Sequence, residues 1–507
     1  MSQEQKEELQ PKRKSIKRNY IYNVIYQVFL VVVPLVLTPY VSRVLLAEGV
    51  GKYSFAYSLI TYFTIFGSLG FGYYAQREIA KYQGNQLQQS RIFWEINLCR
   101  LLSVGLALAV NIACCLGNLY GDYNSLMWIF NINIISLAFD IAFFFQGNEE
   151  FGKLVLRNVV IKILSIASIL IFVKTPEHLG LYAIINSVML IISNLAMWPS
   201  LRKSIRYVAV RELQPMRHLK GTLKLFVPTI ATSIYTVLDK TLIGLLIQDT
   251  YTVIEDGVEI VKKFSDLENG YYEQSEKLVK MAMTVITCMG TVMIPRNSYE
   301  IMHGNQDKVK ENIYFSSRLV WLLGIPMVFG LIAIAPNFVP WFYGDGYEKC
   351  ITLLMIFSAL ILIIGLSNVF GLQYLVPMGN DKGFSLALIG GAAVNLVLNC
   401  VLIPFFWSYG AAIASVIAEL FVTVLMAIMI RKTISIKKIL LSSWKYLLAG
   451  LAMFALTYFM GNWLSANVLN TFLIVLAGIA VYGFFLILLR EELVMKGIRK
   501  VWKRKNG

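Results

Sequence analysis

Charge is scarce in this chain, and its absence from long stretches is the first thing the sequence states. Asp, Glu, Lys and Arg make up 15% of 507 residues against 57% hydrophobic, and mean hydropathy is +0.63. A soluble protein of that composition would have too little polar surface to face water. Histidine is rarer still: His178, His218 and His303 lie far apart in sequence and make no metal-ligand cluster. The cysteines, Cys99, Cys114, Cys115, Cys288, Cys350 and Cys400, show no C-x-x-C spacing and fall mostly in apolar runs, as buried apolar thiols do. No G-x-x-x-x-G-K-[ST] loop occurs, which removes nucleotide hydrolysis from the reading. The segment before Asn19 is too basic and polar for a cleaved signal peptide, and the first apolar run ends in Pro39-Tyr-Val-Ser-Arg43 rather than at a small-residue cleavage site.

What is present is apolar sequence in span-sized runs: 20–43, 53–75, 95–117, 124–146, 155–173, 178–198, 222–247, 274–295, 313–336, 351–373, 384–405, 409–430, 441–461 and 468–489. A hydrocarbon core of ~30 Å takes ~20 apolar residues per helix, so these runs predict an all-α polytopic membrane protein of about fourteen transmembrane helices. Basic residues then alternate from loop to loop. The tail 1–19 carries Lys6, Lys12, Arg13, Lys14, Lys17 and Arg18, and the linker 199–221 carries Arg202, Lys203, Arg206, Arg211, Arg217 and Lys220. The turns near 118–123, 406–408 and 462–467 hold no Lys or Arg at all. By the positive-inside bias both termini, including the basic tail 490–507, face the cytoplasm. The net charge of +16 collects on that face, where an anionic bilayer accounts for it without nucleic acid. One outer loop stands apart: 248–270 contains Asp249, Glu255, Asp256, Glu259, Asp266 and Glu268 against Lys262 and Lys263. It reads as a solvated charged loop or as a lid over an outer vestibule.

The chain repeats itself. Val33-Pro34 in the first span matches Val227-Pro228 in the seventh, and Gly51-Lys-Tyr53-Ser-Phe-Ala56 matches Gly270-Tyr-Tyr272-Glu-Gln-Ser275. This predicts two six-helix lobes, 20–198 and 222–430, joined by 199–221, with the two spans in 431–489 as an appendage. Two related lobes are a common plan for alternating access. Pro34, Pro39 and Pro228 are bending points, because proline removes an amide and clashes with the preceding turn.

Polar residues inside spans mark the candidate site, since charge in hydrocarbon is costly unless paired or wet. Asn19, Asn23 and Gln27 share one face of the first span; Thr232, Ser233, Tyr235 and Asp239 lie toward one side of the seventh, with Lys240 adjacent; Lys280, Thr284, Thr287 and Thr291 stripe the eighth. Asp239 and Lys240 point about 100° apart on a helix, so each looks for its own partner, structural or functional. Asp140 and Glu419 are deeper single acids, able to hold a proton or a cation. Arg100 and Arg318 begin the third and ninth spans at corresponding positions, and either meet an anion at the inner mouth or snorkel to headgroups. A cleft whose lining favours basic over acidic residues would suit a diphosphate group, for which Arg supplies forked donors and Lys a point charge.

These residues carry a resemblance. Lys17-Arg-Asn-Tyr-Ile-Tyr-Asn23, Thr38-Pro-Tyr-Val-Ser-Arg43, Gly49-Val-Gly-Lys-Tyr-Ser-Phe-Ala56, Phe226-Val-Pro-Thr-Ile230 and Leu238-Asp-Lys240 precede a more specific block. That block is Val376-Pro-Met-Gly379, Asn395-Leu-Val-Leu-Asn-Cys-Val-Leu-Ile-Pro404 and Tyr409-Gly-Ala-Ala-Ile-Ala-Ser-Val-Ile-Ala-Glu419. Over residues 15–490 the chain resembles the polysaccharide-biosynthesis flippases of the multidrug/oligosaccharidyl-lipid/polysaccharide exporter superfamily, from whose pattern the insertion at 248–270 departs. The resemblance implies two lobes in a V-shaped arrangement in a bacterial cytoplasmic membrane. It implies a protein that is not an enzyme and moves an undecaprenyl-diphosphate-linked oligosaccharide to the outer leaflet for capsule, exopolysaccharide or O-antigen-type synthesis. Partners would be membrane lipids and the polymerase and glycosyltransferases of the same pathway. No cofactor is implied beyond a coupling H+ or Na+, for which Asp239, Asp140 and Glu419 are the candidate residues. For the substrate they are Arg43, Arg100, Lys240, Arg318, Asn23, Gln27 and Thr284. Cation-coupled export of small molecules is the rival function on the same fold. A membrane polymerase is disfavoured because the one long outer loop holds mostly carboxylates and no His or Arg.

Overall fold

The computed structural model describes residues 16–202, 204–255 and 258–505. Long helices dominate: α1 (Ile16–Ser68), α2 (Phe71–Lys81), α3 (Gln86–Leu116), α4 (Asn124–Ala138), α5 (Ala142–Gly147), α6 (Phe151–Phe172), α7 (Leu179–Leu195) and α8 (Leu219–Leu246). A two-stranded hairpin, β1 (Thr250–Glu255) and β2 (Val258–Lys263), follows. The chain then continues as α9 (Phe264–Met302), α10 (Gln306–Tyr343), α11 (Lys349–Phe370) and α12 (Asp381–Ile430). The last four are α13 (Ile436–Leu441), α14 (Trp444–Trp463), α15 (Val468–Leu488) and α16 (Glu492–Lys505).

Eleven helical runs among the described residues are long and apolar enough to cross a membrane. Two of these, Val32–Lys81 and Asp381–Ile430, are 50 residues long, too long for one crossing. Each contains a backbone break, at Leu46 (φ 57°) and Trp407 (φ 52°), where the left-handed conformation cannot continue a right-handed helix. With each counted as two and the 28-residue α8 added, the total is the fourteen that the apolar runs predict. Large apolar side chains stay exposed along the spans, such as Leu102 and Leu106 on α3 and Ile479 and Phe484 on α15, as lipid-facing positions require. Polar groups turn inward instead: on α3 and α4, Asn111 Nδ2 donates to Asn131 Oδ1 at 2.9 Å, both buried.

The chain forms two compact units, Met1–Thr241 and Leu242–Gly507. The division therefore falls inside the seventh span and not in the basic linker 199–221. The reason lies in that linker's bonds, which return it to α3: Arg91 Nη2 donates to Glu212 O (2.7 Å), Trp94 Nε1 to Arg206 O (3.1 Å) and Gln214 N to Glu95 Oε1 (2.9 Å). Glu95 is fully buried and also receives Arg217 and the ring of His218, whose other nitrogen meets Tyr74 Oη at 2.9 Å.

The acidic segment 248–270 is more ordered than a solvated loop. β1 and β2 pair antiparallel from Thr250↔Lys263, and Phe264 N donates to Asp249 O (2.9 Å) at the base. Helix α9 starts at Phe264, ahead of the predicted 274, and buries Asp266 and Glu268. Lys349 Nζ reaches Glu268 Oε1 at 2.6 Å, and Ser408 N donates to Glu268 Oε2 at 3.1 Å. The Lys349 ammonium also sits over the rings of Tyr409 (4.7 Å), Trp407 (5.0 Å) and Phe264 (5.7 Å). The ion pair to a lysine that also rests on ring faces explains why Glu268 leaves water. The same carboxylate accepts from the residue after Trp407, holding the strained turn between the eleventh and twelfth spans.

Candidate functional site

The first unit holds a cation where the bilayer should have none. Arg100 lies on α3, whose N-terminus is capped by the Asn85 side chain accepting from Gln88 N (3.1 Å). Its side chain is turned inward, 5% exposed. Nη2 donates to Asn97 Oδ1 at 2.5 Å, the guanidinium lies 5.5 Å from the Phe143 ring centre, and Nε is buried without an acceptor. No carboxylate lies within ion-pairing distance of it among the described residues, although Asp140 acts on it through space.

Phe143 and Asp140 come from an interrupted helix. The fourth span runs as α4 to Ala138, opens over Phe139–Ile141, and resumes as α5. Asp140 sits in the gap, and its Oδ1 accepts from Ala142 N (2.9 Å), which starts α5. Trp198 Nε1 donates to Phe139 O (3.0 Å), so the opened backbone is satisfied by protein. Beside this interrupted helix the forked donors of Arg100 are held in low dielectric with no ion-pair partner among the described residues, a chemistry able to receive an anionic group.

A second polar group in the same unit joins α1 to α8. Ser58 Oγ and Thr241 Oγ1 are 2.8 Å apart, Tyr62 Oη donates to Thr241 Oγ1 (3.0 Å), and Asp239, 7% exposed, acts electrostatically on Tyr62. Lys240 is half-buried, and both Asp239 and Lys240 have partners within the fold. Carboxylate, phenol and hydroxyls in one buried patch suit proton or cation binding.

Other predicted residues are placed separately. Arg43 is exposed on α1. The side chains of Asn23 and Gln27 lie outside the described part of the structure. In the second unit Thr284 donates back to Lys280 O (2.9 Å), and Lys280 pairs with Glu276 (2.6 Å). Glu419 is half-buried on α12. Arg318, at the position corresponding to Arg100, is a third exposed and bound to Glu492 of α16 at 2.7 Å. Sequence reasoning missed Asn97 and Phe143, which frame Arg100, and the Glu95 hub. The Asn97-x-x-Arg100 and Arg91-x-x-x-Glu95 spacings were the available signals, because residues three and four apart share a helix face.

The chain matches the profile of a family described as polysaccharide biosynthesis protein over residues 16–299. It is 26% identical over 426 residues, 82% of this chain and 97% of the relative, to the Escherichia coli K12 protein named "Putative O-antigen transporter". A Shigella dysenteriae protein of the same name is 23% identical over 78% of this chain and 94% of its own length. Among solved structures, lipid II flippase MurJ in its inward closed conformation superposes with a TM-score of 0.70, at 17% identity, over 94% of this chain and all of that one. An inward-facing multidrug resistance MATE family transporter of the MOP superfamily follows with a TM-score of 0.59, at 13% identity, over 80% of this chain and 98% of that one. The fold is of this superfamily type.

Proposed function

The chain belongs to the polysaccharide biosynthesis protein family, and from that membership we propose that it flips a lipid-linked oligosaccharide across a bacterial cytoplasmic membrane without covalent change. The substrate class we assign is an undecaprenyl-diphosphate-linked repeat unit, presented at the cytoplasmic leaflet with both termini of the protein on that side. The observation that carries this reading is the buried guanidinium of Arg100, without an ion-pair partner among the described residues, beside the broken fourth span. A diphosphate supplies the missing negative charge and accepts the free Nε donor; Asn97 keeps the fork oriented. Lys240 is the second cationic contact in this proposal, and Arg43 and Thr284 are further candidate contacts, each within its own unit. Asp239, with Tyr62 and Thr241, is the favoured site for a coupling H+ or Na+; Asp140 and Glu419 are the alternatives.

Export of a soluble amphiphile coupled to a cation is the second reading, supported by the intramembrane acids and by the MATE-type fold. Cells depleted of the protein separate the two. Under the flippase reading, lipid-linked oligosaccharide accumulates in spheroplasts, protected from added glycosidase. Unchanged lipid-linked sugar together with higher sensitivity to amphiphilic drugs would instead select the exporter.

A further inference from the structure

A cavity of about 380 Å³ opens in the second unit where α10 meets the turn after α12. Its polar lining is made of donors: Arg318 and Tyr314 from α10, and Ser435, Lys437 and Lys438 from the turn and α13. No carboxylate lines it. Glu492 engages only Nη1 of Arg318, leaving the other guanidinium donors available. Lys437 and Lys438 have no carboxylate partner among the described residues, and the Lys438 ammonium rests on the Tyr314 ring at 4.4 Å. Tyr314 Oη accepts from Ser435 N (3.1 Å), which leaves its own proton to donate. The Ser435 hydroxyl likewise accepts, from Lys438 N (3.3 Å).

The surroundings are apolar. Leu441 lines the cavity and is 61% exposed; Leu440, Trp444 and Phe315, close in sequence to lining residues, are also exposed. Cations and hydroxyl donors next to an uncovered leucine are the combination that suits the zone where headgroups meet acyl chains. A free anion would use the donors and leave the apolar rim wet. A lipid satisfies both.

We propose that this pocket binds the phosphodiester headgroup of an anionic glycerophospholipid from the leaflet facing the basic loops. Arg318 and Lys437 would contact the phosphate, with Lys438 and Tyr314 closing one side. The site differs from the Arg100 region and needs no flipping activity; it rests on the orientation proposed above, because that leaflet carries the anionic lipids. The position that corresponds to Arg100 in the second half of the chain is thereby assigned to a resident lipid and not to the transported one.

Native mass spectrometry of the full-length protein, released from bilayers of phosphatidylglycerol and phosphatidylcholine, tests this. Wild type is expected to keep phosphatidylglycerol, and K437Q/K438Q to keep at least fivefold less. K437R/K438R, which preserves charge, should retain the lipid, and millimolar inorganic phosphate should not displace it. Equal phosphatidylglycerol retention by wild type and K437Q/K438Q overturns the site. Loss in K437R/K438R overturns the charge-based account, and displacement by inorganic phosphate overturns the lipid assignment in favour of a free anion.

Discussion

Tyr272 meets Phe357 edge to face, ring centres 5.1 Å apart and planes at 83°, in the heart of the second unit. Tyr53 meets Phe130 in the first unit at 5.5 Å and 82°. Both tyrosines belong to the Gly-x-Tyr segments that open the second and eighth spans; their partners lie at the same depth of the fourth and tenth. The two contacts join corresponding positions of the repeat read from the sequence. Replacing Tyr272 with Ala should cost about 3–5 kcal/mol, the usual range for a large aromatic truncated in a core. Thermal unfolding in detergent checks this. Tyr272→Phe, which keeps the ring and gives up the 3.3 Å contact to Ser415 Oγ, should shift the transition far less.

Glu268 and Lys349 are expected to behave as a coupled pair. Glu268 is fully buried and Lys349 is 17% exposed, and removing one partner of a buried pair typically costs about 3–5 kcal/mol, because the other charge is left stranded. E268Q and K349M should each lower the unfolding temperature strongly, and the double variant should lose less than the sum of the two. Strict additivity would mean the two charges are screened from each other.

How much of this was readable beforehand differs between fold and site. Span number was legible because each crossing takes ~20 apolar residues. Glu268 was legible only as one acid among several in a charged segment. Nothing local in sequence announces that Lys349 and Ser408 come back to meet it, so the helix start at Phe264 was missed. Arg100 and Arg318 were indistinguishable by position. Their fates depend on Asn97 and Phe143 in one unit and on Glu492 in the other, all of them contacts that a hydropathy profile does not contain.

Arg100 is predicted to be the most sensitive position in transport. R100Q removes the charge and should reduce flipping on the order of tenfold or more, in line with the ~1.5–3 kcal/mol of a hydrogen bond to a charged group. R100K keeps the charge without the fork and should recover part of the rate. Flipping rate, normalised to inserted protein, is the readout; an R100Q protein as active as wild type would remove Arg100 from the site.

The C-terminal helix should loosen in acid. Arg318 donates to Glu492 and holds its carboxyl below the usual carboxylate range, with Arg318's and Lys496's charges adding in the same direction. A carboxyl depressed in the folded state stabilises above its unfolded pKa, and that contribution disappears as pH falls through the lower folded value. Glu492 is 60% exposed, so the effect should be small and weakened by salt. Hydrogen exchange of α16 as a function of pH should show faster opening in the acid range for wild type, and no such step in E492Q.

The central claim is tested most directly by purified protein in sealed vesicles containing an undecaprenyl-diphosphate-linked oligosaccharide placed in the inner leaflet. The account predicts that sugar becomes accessible to an outside lectin or glycosidase faster than in protein-free vesicles, that the recovered lipid is chemically unchanged, and that R100Q vesicles lag. Folded wild-type protein that exposes the sugar no faster than empty vesicles would contradict it.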